Sequence, residues 1–134
     1  MDGTKKRRVV LLTDDDVSVR NLVRHILEGA GFCVFSAADG IEALTFLRSY
    51  PERIDVLLAD IDMPLMDGIS LAEYVRREHP GIFVLLMSGR PPANISFEQL
   101  GIAFLQKPFS PEALIIRIEQ SIVNPASYDT PGEH

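Results

Sequence analysis

Asp14, Asp15 and Asp16 follow an apolar run at residues 9–12, Asp60 and Asp62 follow a second at residues 54–58, and Ser88 and Lys107 follow two more. Carboxylates held close together repel one another and gain affinity for protons unless a cation neutralises them. Hard oxygen donors in an incomplete protein shell suit Mg2+, with Mn2+ as the alternative, because such an ion keeps several waters and can grip a phosphoryl oxygen as well. An aspartate is also a competent nucleophile toward phosphorus. On this reading Asp60 attacks, while the cation, the Ser88 hydroxyl and the Lys107 ammonium spread around the three equatorial oxygens of the group being transferred.

Those residues can act together only if the fold collects them. Short apolar runs alternate with amphipathic stretches, the pattern of strand and helix units on a parallel sheet. The runs at residues 8–12, 33–37, 54–59, 83–87 and 103–105 are the strand candidates. Ligands in a doubly wound sheet sit beyond the carboxyl ends of the strands, and each chemically able residue falls at such an end. Singly, the acids read as helix caps and Lys107 as a surface charge; their joint placement at four strand ends points to one pocket.

Helical spacing connects the strands. Val19, Leu22, Val23, Ile26 and Leu27 form one stripe, with Asp16 or Ser18 available as N-cap and Gly29 and Gly31 near its end. A second helix is predicted from Gly40 to Ser49, closed by Pro51, and a third over residues 69–78, stopped by His79-Pro80-Gly81. The last opens on Ser110 as cap and Pro111 at its first position. Residues 90–100 carry Pro91-Pro92 and room only for a turn at residues 97–100, capped by Asn94 or Ser96, so a full helix is not expected there.

At 134 residues and 46% hydrophobic, the chain can build one core without staples. The single cysteine, Cys33, excludes an internal disulfide, fits a reducing compartment and is read as a small sheet residue. No apolar run is long enough for a membrane span and no secretory signal is visible, so a soluble, cytoplasmic protein is expected. The net charge of -6 argues against direct nucleic-acid binding despite Lys5-Lys6-Arg7-Arg8. The expected organisation is an N-terminal extension at residues 1–6, one domain at residues 7–123, and a flexible, polar tail at residues 124–134.

The chain resembles the receiver domain of two-component response regulators. The resemblance rests on Leu11-Leu12-Thr13-Asp14-Asp15-Asp16, Asp60-Ile61-Asp62-Met63-Pro64-Leu65-Met66-Asp67-Gly68, Met87-Ser88-Gly89 and Phe104-Leu105-Gln106-Lys107-Pro108-Phe109. It implies a flavodoxin-like α/β fold, a doubly wound five-stranded parallel sheet in the order 2-1-3-4-5. It also implies that Asp60 takes a phosphoryl group from a histidine kinase or histidine phosphotransfer protein, with Mg2+ held by Asp14, Asp15, Asp60 and the backbone carbonyl of Asp62. Ser88 and Lys107 would bind the phosphoryl group, and Lys107-Pro108 would be cis. Such a domain is no enzyme in the ordinary sense, catalysing only its own phosphorylation and slow dephosphorylation, and it works by changing what an output partner binds. The run from Phe104 to Leu114 is similar to receivers of hybrid histidine kinases, as well as to free-standing ones.

Departures from the family pattern carry their own expectations. The segment between Ser88 and Lys107 is short, so the fourth helix should be shortened or missing. Asp62 and Arg90 flank the phosphorylation site, where the family tunes phosphate lifetime, and Arg90 is within reach of pairing with Asp62. Phe104 occupies the family's aromatic switch position, with an ordinary core aromatic as the plain alternative.

Two competing readings follow from the same residues. Asp60-Ile61-Asp62 also resembles the Asp-x-Asp of haloacid-dehalogenase-type phosphatases, yet the acidic pair precedes the nucleophile, Met63-Pro64 stands where a glycine turn belongs, and there is no cap over a substrate. A phosphate-independent interaction module would have no use for the complete set of acid, hydroxyl and amine.

Overall fold

Runs rich in valine, leucine and isoleucine pair along their length, and the amphipathic stretches between them cover both sides of the resulting sheet. The computed structural model describes residues 7–50, 52–90 and 92–123; Pro51, Pro91, the expected extension at residues 1–6 and the expected tail at residues 124–134 lie outside the described residues. In chain order the elements are β1 (Val9–Thr13), α1 (Val17–Gly29), β2 (Cys33–Ala37), α2 (Gly40–Ser49), β3 (Val56–Asp60), α3 (Gly68–Glu78), β4 (Phe83–Ser88), α4 (Phe97–Leu100), β5 (Ala103–Gln106) and α5 (Pro111–Val123). The strands form a parallel sheet in the order β2-β1-β3-β4-β5, the predicted topology.

Alternation along each strand makes two cores. Leu11, Leu57, Val84 and Leu86 face Leu44 and Leu47 of α2 and Leu71 and Val75 of α3. Val10, Leu12, Leu58, Leu85 and Met87 face the other way, toward Val23 and Leu27 of α1 and Leu114 and Ile118 of α5. Every residue of β3 and β4 is buried, as central strands of a covered parallel sheet must be. Removing a leucine such as Leu58 from water contributes about 1.5–3 kcal/mol.

The caps of α1 and α5 are among those expected, and α3 adds a third. Asp16 accepts from the Ser18 and Val19 amides to start α1, Asp67 accepts from Ser70 to start α3, and Ser110 accepts from Ala113 at the head of α5. The strand boundaries shift by a residue or two from expectation. β1 starts at Val9 and β3 at Val56, while β3 and β4 each run one residue further, so that Asp60 and Ser88 are the last residues of their strands. α3 begins one residue earlier than predicted, at Gly68.

The fourth helix is a single turn of four residues. Ser96 caps it and Gly101, with φ of 72°, ends it in the left-handed region where a side chain would be strained. A Cβ on Gly101 would lie 2.6 Å from the Arg76 guanidinium. Phe97 stacks on Phe104 of β5, ring centroids 4.8 Å apart and 13° from parallel. Among the described residues no helix is long and apolar enough to cross a membrane.

Candidate functional site

The register of the sheet builds the pocket. Thr13 pairs with Ala59 and Asp60 with Met87, so Asp14 and Asp60 emerge at the same end of adjacent strands. Ser88 pairs with Gln106, and the Lys107 amide donates to the Ser88 carbonyl at 2.9 Å, which brings the lysine up beside β4. The Lys107-Pro108 peptide is cis.

The Lys107 ammonium is the hub. Its Nζ donates to Asp14 Oδ2 at 3.3 Å and to Asp60 Oδ2 at 3.2 Å. Asp14 is fully buried; its Oδ1 accepts from the Asp16 amide at 2.9 Å, and its carbonyl accepts from Arg20 Nη1 at 2.6 Å. Asp60 Oδ1 accepts from the Asp62 amide at 3.1 Å. Asp15 is exposed, and one carboxylate oxygen from each of Asp14, Asp15 and Asp60 lies within 4.8 Å of the others. Asp16 belongs to the cap of α1 instead.

Burial pushes the Asp60 carboxyl above its ordinary pKa, opposed by the Asp62 amide and Lys107 and assisted by the Asp14 charge. Burial pulls the Lys107 ammonium down, but the charges of Asp14 and Asp60 outweigh it and the net direction is up. One ammonium thus serves two buried carboxylates, which leaves the cluster with an excess of negative charge. A hard divalent cation suits that excess, for three carboxylate oxygens converge and Asp15 opens the cluster to water.

Ser88 is fully buried. Its hydroxyl donates to Asp62 Oδ2 at 3.2 Å and accepts from the Arg90 amide at 3.0 Å. The pairing expected between Arg90 and Asp62 is not what forms: Arg90 approaches through its backbone, its side chain is exposed, and the Asp62 carboxylate turns to Ser88. Phe104 is half-buried in the core on the α2 and α3 side, held by Phe97.

Two contributors escaped the sequence reading. Gly68 packs so closely on β3 that an added Cβ would collide with the Asp60 carbonyl oxygen, with the Ile61 Cα also at 2.9 Å. Arg20, one turn into α1, ties down the Asp14 carbonyl. The glycine after the Asp67 cap was a visible signal; the backbone it approaches was not.

The chemistry and the fold meet in the comparisons with known proteins. The family model of the response regulator receiver domain matches residues 10–119. The DNA-binding transcriptional regulator NtrC of Escherichia coli K12 is 32% identical over 120 residues, 87% of this chain and 25% of that protein. The sensor kinase CckA of Brucella abortus is 32% identical over 121 residues, 84% of this chain and 12% of that protein. The chain therefore spans about a quarter or less of the length of these curated relatives. Among solved structures, the chemotaxis response regulator CheY4 of Vibrio cholerae superposes with a TM-score of 0.74 at 32% identity, covering 86% of this chain and 98% of that one. With its parallel sheet, its convergent acids and a family match over most of its length, the chain belongs to the response regulator receiver domains of two-component systems.

Proposed function

We propose that Asp60 is the phosphoacceptor of this receiver domain, and that residues 7–123 are the unit that takes the phosphoryl group and relays its presence to a partner. The observation that carries the reading is the position of Asp60: at the end of a central strand, its carboxylate touches Lys107 and lies beside both Asp14 and Asp15. In the transfer, a carboxylate oxygen of Asp60 attacks phosphorus, the bond from phosphorus to the donor's leaving atom breaks, and the electron pair departs with the donor. An aspartyl phosphate results. Lys107 and Ser88 then donate to the phosphoryl oxygens, where fixed donors in a partly buried site stabilise developing charge.

Asp14, Asp15, Asp60 and the Asp62 carbonyl are the groups that would hold Mg2+, with Mn2+ as the alternative. When bound, the ion supplies positive charge against the phosphoryl oxygens and the attacking carboxylate. Receiver domains take phosphate from histidine kinases or phosphotransfer proteins, and a phosphohistidine on such a protein is the proposed donor here, in the cytoplasm. The relatives are named as a transcriptional regulator and a sensor kinase, and the output partner is the protein or domain that reads the phosphorylated state. Phe104, joined to α4 through Phe97, is the proposed route from the pocket to that partner.

Intact-mass spectrometry after incubation with acetyl phosphate and Mg2+ tests the assignment. One added phosphoryl group is expected on the wild type and none on Asp60→Asn; EDTA should suppress the gain. Equal incorporation with EDTA would remove the metal from the account, and unchanged incorporation in Asp60→Asn would remove the nucleophile.

A further inference from the structure

Asp62 occupies an unusual post. Its amide donates to the nucleophile, Asp60 Oδ1, at 3.1 Å, while its carboxylate accepts the Ser88 hydroxyl at 3.2 Å. One residue thus touches both the atom group that would be phosphorylated and the hydroxyl that would receive the phosphoryl oxygen. We propose that Asp62 is a positioning residue whose carboxylate holds the Ser88 proton in the resting state, so that phosphoryl binding must break this hydrogen bond. The inference rests on the assignment of Asp60 as phosphoacceptor and adds a competitor for the hydroxyl.

A serine hydroxyl has a single proton to give. In this protein the oxygen of Ser88 is already engaged as an acceptor by the Arg90 amide, and the proton is directed at Asp62. Because Ser88 is fully buried, water is a poor substitute partner for it. A phosphoryl group on Asp60 brings new anionic oxygens to the same hydroxyl, and both anions cannot take one proton. Asp62 is the member free to yield: it is exposed, so its carboxylate can swing into water and recover its solvation, while its amide stays on Asp60.

The consequence is a bias against the phosphorylated state, set by Asp62 and exercised through Ser88. Removing the carboxylate frees the proton and removes a like charge from the rim. The two effects separate in a double-mutant cycle, since only the first needs Ser88. Asp62→Asn keeps an acceptor oxygen without the charge and should fall between wild type and Asp62→Ala.

The test is the affinity of beryllium fluoride, a phosphoryl mimic that completes the Asp60 carboxylate, measured by calorimetry at saturating Mg2+ for wild type, Asp62→Ala, Ser88→Ala and the double variant. Asp62→Ala should tighten binding about three- to tenfold, the scale of one partly exposed charge-assisted hydrogen bond. In the Ser88→Ala background the same change should alter affinity less than about twofold. A second readout needs neither metal nor mimic: the amide resonance of Arg90, which reports on the Ser88 oxygen, should shift in resting Asp62→Ala. Equal gains in both backgrounds would reduce Asp62 to a repelling charge and overturn the proposal, as would no gain in either or an unmoved Arg90 resonance. If the wild type binds no beryllium fluoride at all, the phosphoacceptor reading itself falls, an outcome distinct from each of these.

Discussion

Lys107 and Asp60 are 47 residues apart in the chain, and the ammonium of one lies 3.2 Å from the carboxylate of the other. The contact spans β4, the strand between them, because the Lys107 backbone is anchored on Ser88 and its side chain reaches across to β3 and β1. Lys107→Ala should therefore slow phosphorylation by acetyl phosphate about tenfold or more, equivalent to roughly 1.4 kcal/mol of transition-state stabilisation. With Mg2+ present to offset the acids, the variant should remain folded. A variant that melts at a much lower temperature yet is phosphorylated at the wild-type rate would make the lysine structural.

Gly68 packs against the backbone of Asp60, the proposed phosphoacceptor. A Cβ there would press on the carbonyl of Asp60 and on Ile61, both backbone and unable to turn aside. Gly68→Ala should cost about 1–3 kcal/mol, the range for overpacking a filled site, and should also slow phosphorylation by moving Asp60. Urea denaturation together with the acetyl phosphate assay checks both. Wild-type values in the two measurements would show that the loop gives way freely.

Phe97 holds the one-turn α4 to the sheet. So short a helix has no stability of its own, and the stack on Phe104 supplies about 0.5–1.5 kcal/mol beyond the area it buries. Phe97→Ala should expose the amides of Gly101 and Ile102, which bond to the Glu98 and Phe97 carbonyls, to faster hydrogen exchange. The amide of Leu58 in β3 should exchange as before. Unchanged protection at Gly101 and Ile102 would show that the turn is held by something other than this ring.

Much of this was legible in the sequence because the strands announce themselves. Val10, Leu12 and Leu58 alternate with Leu11, Leu57 and Ala59, and a covered parallel sheet leaves few other places for such runs. Once they are placed, Asp14, Asp60, Ser88 and Lys107 must meet at one edge. The start of β3 was misplaced because Ile54 is buried without joining the ladder, while the Asp55 carboxylate takes the Val9 amide and pairs with Arg8 and Arg53. Direction was harder to read than position. Spacing put Asp62 and Arg90 on the same rim, but whether the carboxylate meets a guanidinium or a hydroxyl depends on how residues 88–90 bend, and there the Arg90 amide turns back onto Ser88. The Gly68 contact was hidden for a similar reason: a glycine shows that something comes close and not what it is.

The central claim is that the phosphoryl group resides on the carboxylate of Asp60. An acyl phosphate is reduced by borohydride to an alcohol, which turns the modified aspartate into homoserine and fixes its position in the chain. After acetyl phosphate and Mg2+, borohydride treatment and tandem mass spectrometry of the digested protein should find homoserine at position 60. Homoserine at position 14, 15 or 62, or a phosphate that survives borohydride on Ser88, would contradict the account.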